Sequence, residues 1–213
     1  MHAAIPIESQ VDLDRVATDY RYDTFRAGLI LNDARFSEAS LKPGQVLPDR
    51  RLVRSDGEEI SLRELAGGRP IALVTGSLTC PLSISALPLF GELNRLYGER
   101  VAFAFIYTRE AHPGEDVNQP ATLGEKVEHA RLLKEIHGVD WPVLVDDMDG
   151  TLHRTLDTKQ NSVHVFEVDG TLLARFCSGR CSPVMAPRKR LSSPSARKES
   201  LTEAKPSADS AAP

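Results

Sequence analysis

Ile71-Ala72-Leu73-Val74-Thr75-Gly76-Ser77-Leu78-Thr79-Cys80-Pro81 passes from an apolar run, through a small polar approach, to a cysteine and a proline. The apolar run reads as a strand covered on both faces. Beyond Pro81, which a first helical turn tolerates, Ile84, Leu87, Phe90, Leu93 and Tyr97 keep helical spacing, and Pro88 predicts a kink. Cys80 therefore sits where a strand hands over to a helix. A thiol there meets unpaired backbone N–H groups and the positive end of the helix dipole, a setting that lowers cysteine pKa values to about 3.5–7.5. Gly76 allows close backbone approach, while Ser77 and Thr79 bring hydroxyls near the sulfur. The plainer alternative is a buried structural cysteine; the junction favours a reactive one.

The surrounding text supplies a sheet. Leu52-Val53-Arg54 and Glu59-Ile60-Ser61-Leu62 flank an Asp56-Gly57 turn and predict a hairpin. Gly67-Gly68-Arg69-Pro70 breaks the chain before strand 71–75. Val101 to Tyr107 is the strongest strand pattern and belongs at the sheet centre. A helix over about 122–137 follows, with Leu123, Val127, Ala130, Leu133 and Ile136 at helical spacing, Thr122 and Glu125 as a capping box, and Gly138 as its stop. Pro142-Val143-Leu144-Val145 is a short strand. Residues 163–168 and 171–175 form a hairpin across Asp169-Gly170. A hairpin, then βαβαβ, then a second hairpin makes an α/β protein with a mixed central sheet flanked by helices, the thioredoxin-like plan. The predicted organisation is a partly helical N-terminal extension over 1–40, a thioredoxin-like domain over 41–181 and a disordered polar tail over 182–213.

Composition narrows the function. With 213 residues, 41% hydrophobic, the chain has room for one domain with a core plus appendages. A formal charge of −4 gives no footprint for nucleic acid or a membrane surface, and Arg188-Lys189-Arg190 reads as a solvated charge run. No run of eighteen apolar residues occurs, and the N-terminus lacks a basic and then apolar leader, so a cytoplasmic location is expected. Three cysteines, Cys80, Cys177 and Cys181, suit a reducing compartment. Ser83 stands where a dithiol redoxin carries its second cysteine. An oxidised Cys80 would then be resolved by Cys177 or Cys181, by glutathione, or by another protein. His129, His137, His153 and His164 show no ligand spacing with the cysteines, so no metal is expected. Asp146-Asp147, after a strand, either lines the crevice beside Cys80 or, as the favoured reading, binds Ser/Thr side chains and solvent, and Trp141 reads as packing.

The runs Gly76-Ser77-Leu78-Thr79-Cys80-Pro81, Ile106-Tyr107-Thr108-Arg109-Glu110-Ala111-His112-Pro113 and Pro142-Val143-Leu144-Val145-Asp146-Asp147-Met148 resemble the iodothyronine deiodinase family, more closely its bacterial redoxin-like relatives. The resemblance covers about residues 42–180. It implies a peroxiredoxin-related, thioredoxin-like fold, with Cys80 in the selenocysteine position and an external thiol completing reductive removal of iodine from an aromatic ring. It further implies His112 as the histidine that binds substrate or delivers a proton, Glu110 as its neighbour in the motif, and Arg180 as a substrate contact. Independently, His112 follows the central strand, whose end should lie beside that of strand 71–75, so it can face the same crevice as Cys80.

The chain departs from the pattern in three places. Cysteine replaces selenocysteine; Gln119-Pro120-Ala121 stands where a second histidine is expected near the start of helix 122–137; and no proline precedes Val163. The expected function is a thiol-dependent oxidoreductase with catalytic Cys80, His112 and Glu110, supported by Ser77, Thr79 and Pro81. Cys177 is a candidate resolving thiol. No bound cofactor is expected; the partners are a small-molecule substrate and a glutathione- or thioredoxin-type reductant, and a homodimer is compatible. The alternatives are a one-cysteine peroxiredoxin-like peroxidase and a catalytically silent thioredoxin-like binding domain.

Overall fold

The protein is described here from a computed structural model, covering residues 20–25, 29, 36–114 and 116–177. A hairpin of β1 (Arg51–Arg54) and β2 (Glu59–Ser61) leads into a short helix α1 (Leu62–Ala66). Then come β3 (Ile71–Gly76), α2 (Pro81–Tyr97), β4 (Ala102–Tyr107), α3 (Leu123–His137), β5 (Val143–Val145) and α4 (Thr151–Leu156), before a closing hairpin of β6 (Ser162–Phe166) and β7 (Leu172–Cys177). The strands make one sheet in the order β2-β1-β5-β4-β3-β6-β7. β3, β4 and β5 run parallel, and every residue in them is buried, as their unbroken apolar runs require.

Register decides where chemistry is possible. Gly76 of β3 pairs with Tyr107 of β4, which pairs with Val145 of β5, so the three parallel strands end level. The loops leaving them form one crevice at the carboxyl edge of the sheet. One face of the sheet packs Leu73, Ala104, Ile106 and Leu144 under Leu62, Leu152, Leu156 and Phe166. The other packs Val74, Phe105 and Val143 under Leu87 and Phe90 of α2 and Ala130 and Leu133 of α3, with Trp141 buried in this layer as expected.

Local signals act much as read. Thr122 caps α3 by accepting from the Glu125 N–H at 3.2 Å, but the Glu125 carboxylate accepts from the Ala121 N–H rather than closing the box on Thr122. Gly138 ends α3 in the left-handed conformation, φ 63°. α2 runs unbroken through Pro88. Gly76 is required by packing: a Cβ there would lie 2.5 Å from both the Phe105 ring and the Ser83 hydroxyl, so its absence lets the first turn of α2 settle onto the end of β3. The helical character expected before residue 40 does not extend to residues 20–25, which are irregular. The predicted tail lies outside the described residues.

Candidate active site

Cys80 is the N-cap residue of α2, in extended conformation, with Pro81 opening the first turn. Its carbonyl accepts the first backbone bond of the helix from Ile84 at 3.0 Å, and its own N–H donates to Ser77 at 3.3 Å. The tight turn 77–80 thus delivers the sulfur to the positive end of a seventeen-residue helix, where negative charge is favoured. The thiol is 4% exposed. The Ser83 hydroxyl donates to the Gln160 carbonyl at 2.9 Å, tying this turn to the loop before β6.

Behind the turn lies a fully buried carboxylate. Glu110 Oε2 accepts from both the backbone N–H and the hydroxyl of Thr79, at 3.2 and 2.8 Å. Its Oε1 accepts from the Tyr107 hydroxyl and lies 3.1 Å from Nδ1 of His129. Tyr107 in turn accepts from the Leu78 N–H at 3.1 Å. Burial, together with the adjacent Glu110 charge, pushes the Tyr107 phenol well above its ordinary pKa, so it remains a neutral donor. An acceptor-only carboxylate is therefore the centre of a set of converging donors. The Thr79 hydroxyl also accepts from the His112 N–H at 3.0 Å, and the Ser77 hydroxyl from the Ala111 N–H at 3.1 Å. The loop after β4 is thus fastened to the cysteine turn by its own backbone.

Cys80, Glu110, Ser77, Thr79 and Pro81 are brought together, and the His112 backbone joins them while its ring stacks on Phe25. His129 was missed in the sequence. The histidine brought against Glu110 is not at 119–121 but almost two turns into α3, with 18% of its side chain exposed. Its signal was present: Lys126, Ala130 and Leu133 make the buried stripe of α3, and His129 lies beside it. Gln119 has another task, accepting from the Glu110 N–H at 2.7 Å. Lys126 donates to the carbonyls of Asp146 and Asp147 at 2.9 and 3.0 Å, and its burial lowers its pKa to about 8.

Asp146-Asp147 binds chiefly backbone N–H groups where Ser/Thr side chains were expected. Asp146 accepts the N–H groups of Leu152 and His153, and Asp147 that of Thr151, so both fasten the start of α4. Cys177 pairs with Ser162, which hydrogen-bonds Thr75 at the end of β3, so it lies at the same end of the sheet as Cys80. Ser162 and His164 share a face, and His164 pairs with Leu73; Cys177 therefore points to the side opposite α2. Arg180 and Cys181 lie outside the described residues. An apolar cavity of about 440 Å³ adjoins the cysteine turn, lined by Leu78, Pro81, Ile84, Val117, Leu132 and Ile136. Among the described residues no cluster of three or more His, Cys, Asp or Glu side chains is placed to hold a metal ion.

Fold and site together define a thioredoxin-like redoxin with one cysteine at the head of its long helix. Solved structures agree on the fold. A peroxidoxin from Mycobacterium tuberculosis superposes with a TM-score of 0.51 at 19% identity, covering 66% of this chain and 88% of that one. A hypothetical protein from Sinorhizobium meliloti gives 0.52 at 15% identity, covering 66% and 73%. The chain belongs to the iodothyronine deiodinase family, whose model matches residues 10–173. That membership and the redoxin fold support an enzyme of the thiol oxidoreductase type.

Proposed function

We propose that this protein reductively dehalogenates iodinated aromatic compounds, with Cys80 as nucleophile and an external thiol as reductant. The observation that carries the reading is the buried Glu110 carboxylate directly behind the cysteine turn, joined to the partly exposed His129. The Cys80 thiolate attacks iodine, so that an S–I bond forms as the C–I bond breaks, and the electron pair passes to the ring carbon. That carbon takes a proton, which His129, Glu110 and the Thr79 hydroxyl are arranged to relay towards the cysteine turn. A first external thiol attacks the Cys80 sulfur and expels iodide. A second attacks the resulting mixed disulfide and regenerates the thiolate. The sum is an aryl iodide and two thiols going to an arene, a disulfide, iodide and a proton. His112 would orient the substrate, and the apolar cavity beside the turn would take its organic body.

The face assignment of Cys177 favours a glutathione- or thioredoxin-type reductant over internal resolution. A reducing compartment such as the cytoplasm would supply it. Among the described residues no helix is long and apolar enough to cross a membrane.

The test is iodide release from iodinated phenols and iodothyronines under excess dithiothreitol, in wild type and Cys80→Ser. Release that disappears with Cys80 is expected. Peroxide consumption with a Cys80 sulfenic acid, and no iodide, would move the assignment to a peroxidase. Neither activity, with Cys80 alkylated by iodoacetamide only as fast as an ordinary thiol of pKa near 8.5, would leave a binding domain.

A further inference from the structure

Residues 20–25 cross the site. Arg109 donates to the Tyr20 carbonyl at 2.6 Å, and its guanidinium lies 5.1 and 5.0 Å from the ring centres of Tyr20 and Tyr22. The Tyr20 hydroxyl meets Nδ1 of His153 at 2.9 Å; because Nε2 of that ring must donate to the Lys159 carbonyl, Nδ1 accepts from Tyr20. The Tyr22 hydroxyl donates to the Ala111 carbonyl at 3.0 Å, and Gln119 donates to the Tyr22 carbonyl at 3.0 Å. Residues 20 and 22 are thus firmly docked on the loop after β4. Asp23 and Thr24 then pass through solvent, and Phe25 comes back to stack on the His112 imidazole, with ring centres 4.1 Å apart and planes at 21°.

We infer that Phe25 is the built-in occupant of an aromatic-ring site on the face of His112, and that the ring of an aryl substrate takes its place. The inference rests on the proposed chemistry of Cys80 and names the class of ligand. Three features fit a displaceable occupant. The backbone of His112 is fixed to Thr79, next to Cys80, by a bond that does not involve Phe25, so the residue keeps its place beside the cysteine turn when Phe25 leaves. The bonds that dock Tyr20 and Tyr22 do not involve Phe25, so its side chain can turn out without undocking them. One aromatic pair changes an equilibrium by only about 2- to 12-fold, which an incoming ring of similar size can match. Cys80 is almost wholly buried, so a substrate reaches its sulfur only after some movement at the site.

The experiment measures alkylation of Cys80 by 2-iodo-N-phenylacetamide and by iodoacetamide, read by mass spectrometry on the Cys80 peptide of the full chain. In Phe25→Ala the phenyl reagent should gain about 2- to 12-fold relative to iodoacetamide. Phe25→Leu, which keeps apolar bulk, provides the same comparison should the alanine variant fold poorly. Adding His112→Ala should abolish the preference. A phenyl-to-iodoacetamide ratio unchanged by either Phe25 variant, or a preference that survives loss of His112, overturns the inference. Alkylation requires no turnover, so absence of iodide release would refute the proposed reaction without touching this result.

Discussion

Replacing Glu110 by Gln separates the shape of the buried hub from its charge. Glu110 Oε2 faces the Thr79 N–H, a donor that cannot reverse, whereas Oε1 faces the Tyr107 hydroxyl and Nδ1 of His129. A glutamine therefore has one workable orientation: its oxygen replaces Oε2 on Thr79, and its NH₂ turns to Tyr107 and His129. His129 accommodates this by moving its proton to Nε2, and Tyr107 by accepting. Tyr107 then accepts from both the Leu78 N–H and the new NH₂, so its own O–H loses its acceptor, and the cost is the loss of charge-assisted bonds plus one unpaired buried donor, about 2–4 kcal/mol. Glu110→Ala instead leaves the Thr79 N–H and two hydroxyls facing a void. One orphaned buried donor alone costs about 1–3 kcal/mol, and the cavity adds to it, for an expected loss of about 3–5 kcal/mol. Urea unfolding measures both variants. In Glu110→Gln the turn geometry survives while the proton path from His129 does not, so iodide release should fall about 10²- to 10⁴-fold. Cys80 alkylation, which needs no relayed proton, should change less than about threefold. Alkylation falling in parallel with turnover would make Glu110 a structural support of the turn and refute the relay; undiminished turnover would refute it equally.

Other expectations follow from buried charges and from strand register. Burial lowers the His164 pKa to about 3 from 6.5, so the unfolded chain binds this proton more readily; stability is full above pH 6.5 and falls with acid, by about 2 kcal/mol at pH 5. Comparing His164→Leu with wild type by urea unfolding at pH 7.5 and 5 should show that much less acid loss in the variant, and equal losses would refute it. Lys126, lowered by burial to about 8 from 10.5, acts with the same sign in an alkaline window: the unfolded chain holds its proton between those values, so stability should rise with pH there by up to about 3 kcal/mol relative to Lys126→Met. Parallel pH profiles for the two proteins would contradict the assignment. Cys177→Ser should leave thiol-driven turnover within about twofold of wild type, because Cys177 faces away from α2; a tenfold loss would restore it as the resolving thiol.

What was legible in the sequence was what one segment encodes by itself. The apolar runs of β3 and β4 could bury all their residues only as central strands, and the break at Gly76 followed by Pro81 places Cys80 at a helix start whatever the rest of the chain does. A local role for Asp146-Asp147 was legible for the same reason, since the groups it binds lie within seven residues, although they are chiefly backbone N–H groups and not the Ser/Thr side chains expected. Glu110 could be named but not understood, because its partners are contributed by three separate elements, Thr79 before α2, Tyr107 at the end of β4 and His129 in α3. His129 was sought by position along the chain, at the start of a helix; what places it is rotation about that helix, which sets it beside the buried stripe. The docking of residues 20–25 follows no period at all. It depends on Arg109 packing against two tyrosines, and no spacing rule connects residues about 89 apart.

On the proposed reading, these contacts serve a reaction and not the turn alone. A tight turn before a helix can be secured by backbone bonds and hydroxyls, as the Ser77 and Thr79 contacts to Ala111 and His112 show. Adding a fully buried carboxylate beside a histidine works against stability, since removing charge from water costs more than a single pair usually returns. The surrounding donors offset that cost but gain nothing that an apolar core of equal volume would lack. What the pair does add is a proton-carrying path, from a histidine partly open to solvent to a hydroxyl on the residue next to Cys80. Peroxide reduction at a thiolate turns on thiolate access, whereas breaking a carbon–halogen bond leaves a carbanion that must be protonated where it forms. A relay ending beside the sulfur suits the second reaction, and for that reason Glu110→Gln, rather than any variant of Cys80 itself, is the substitution that discriminates between them.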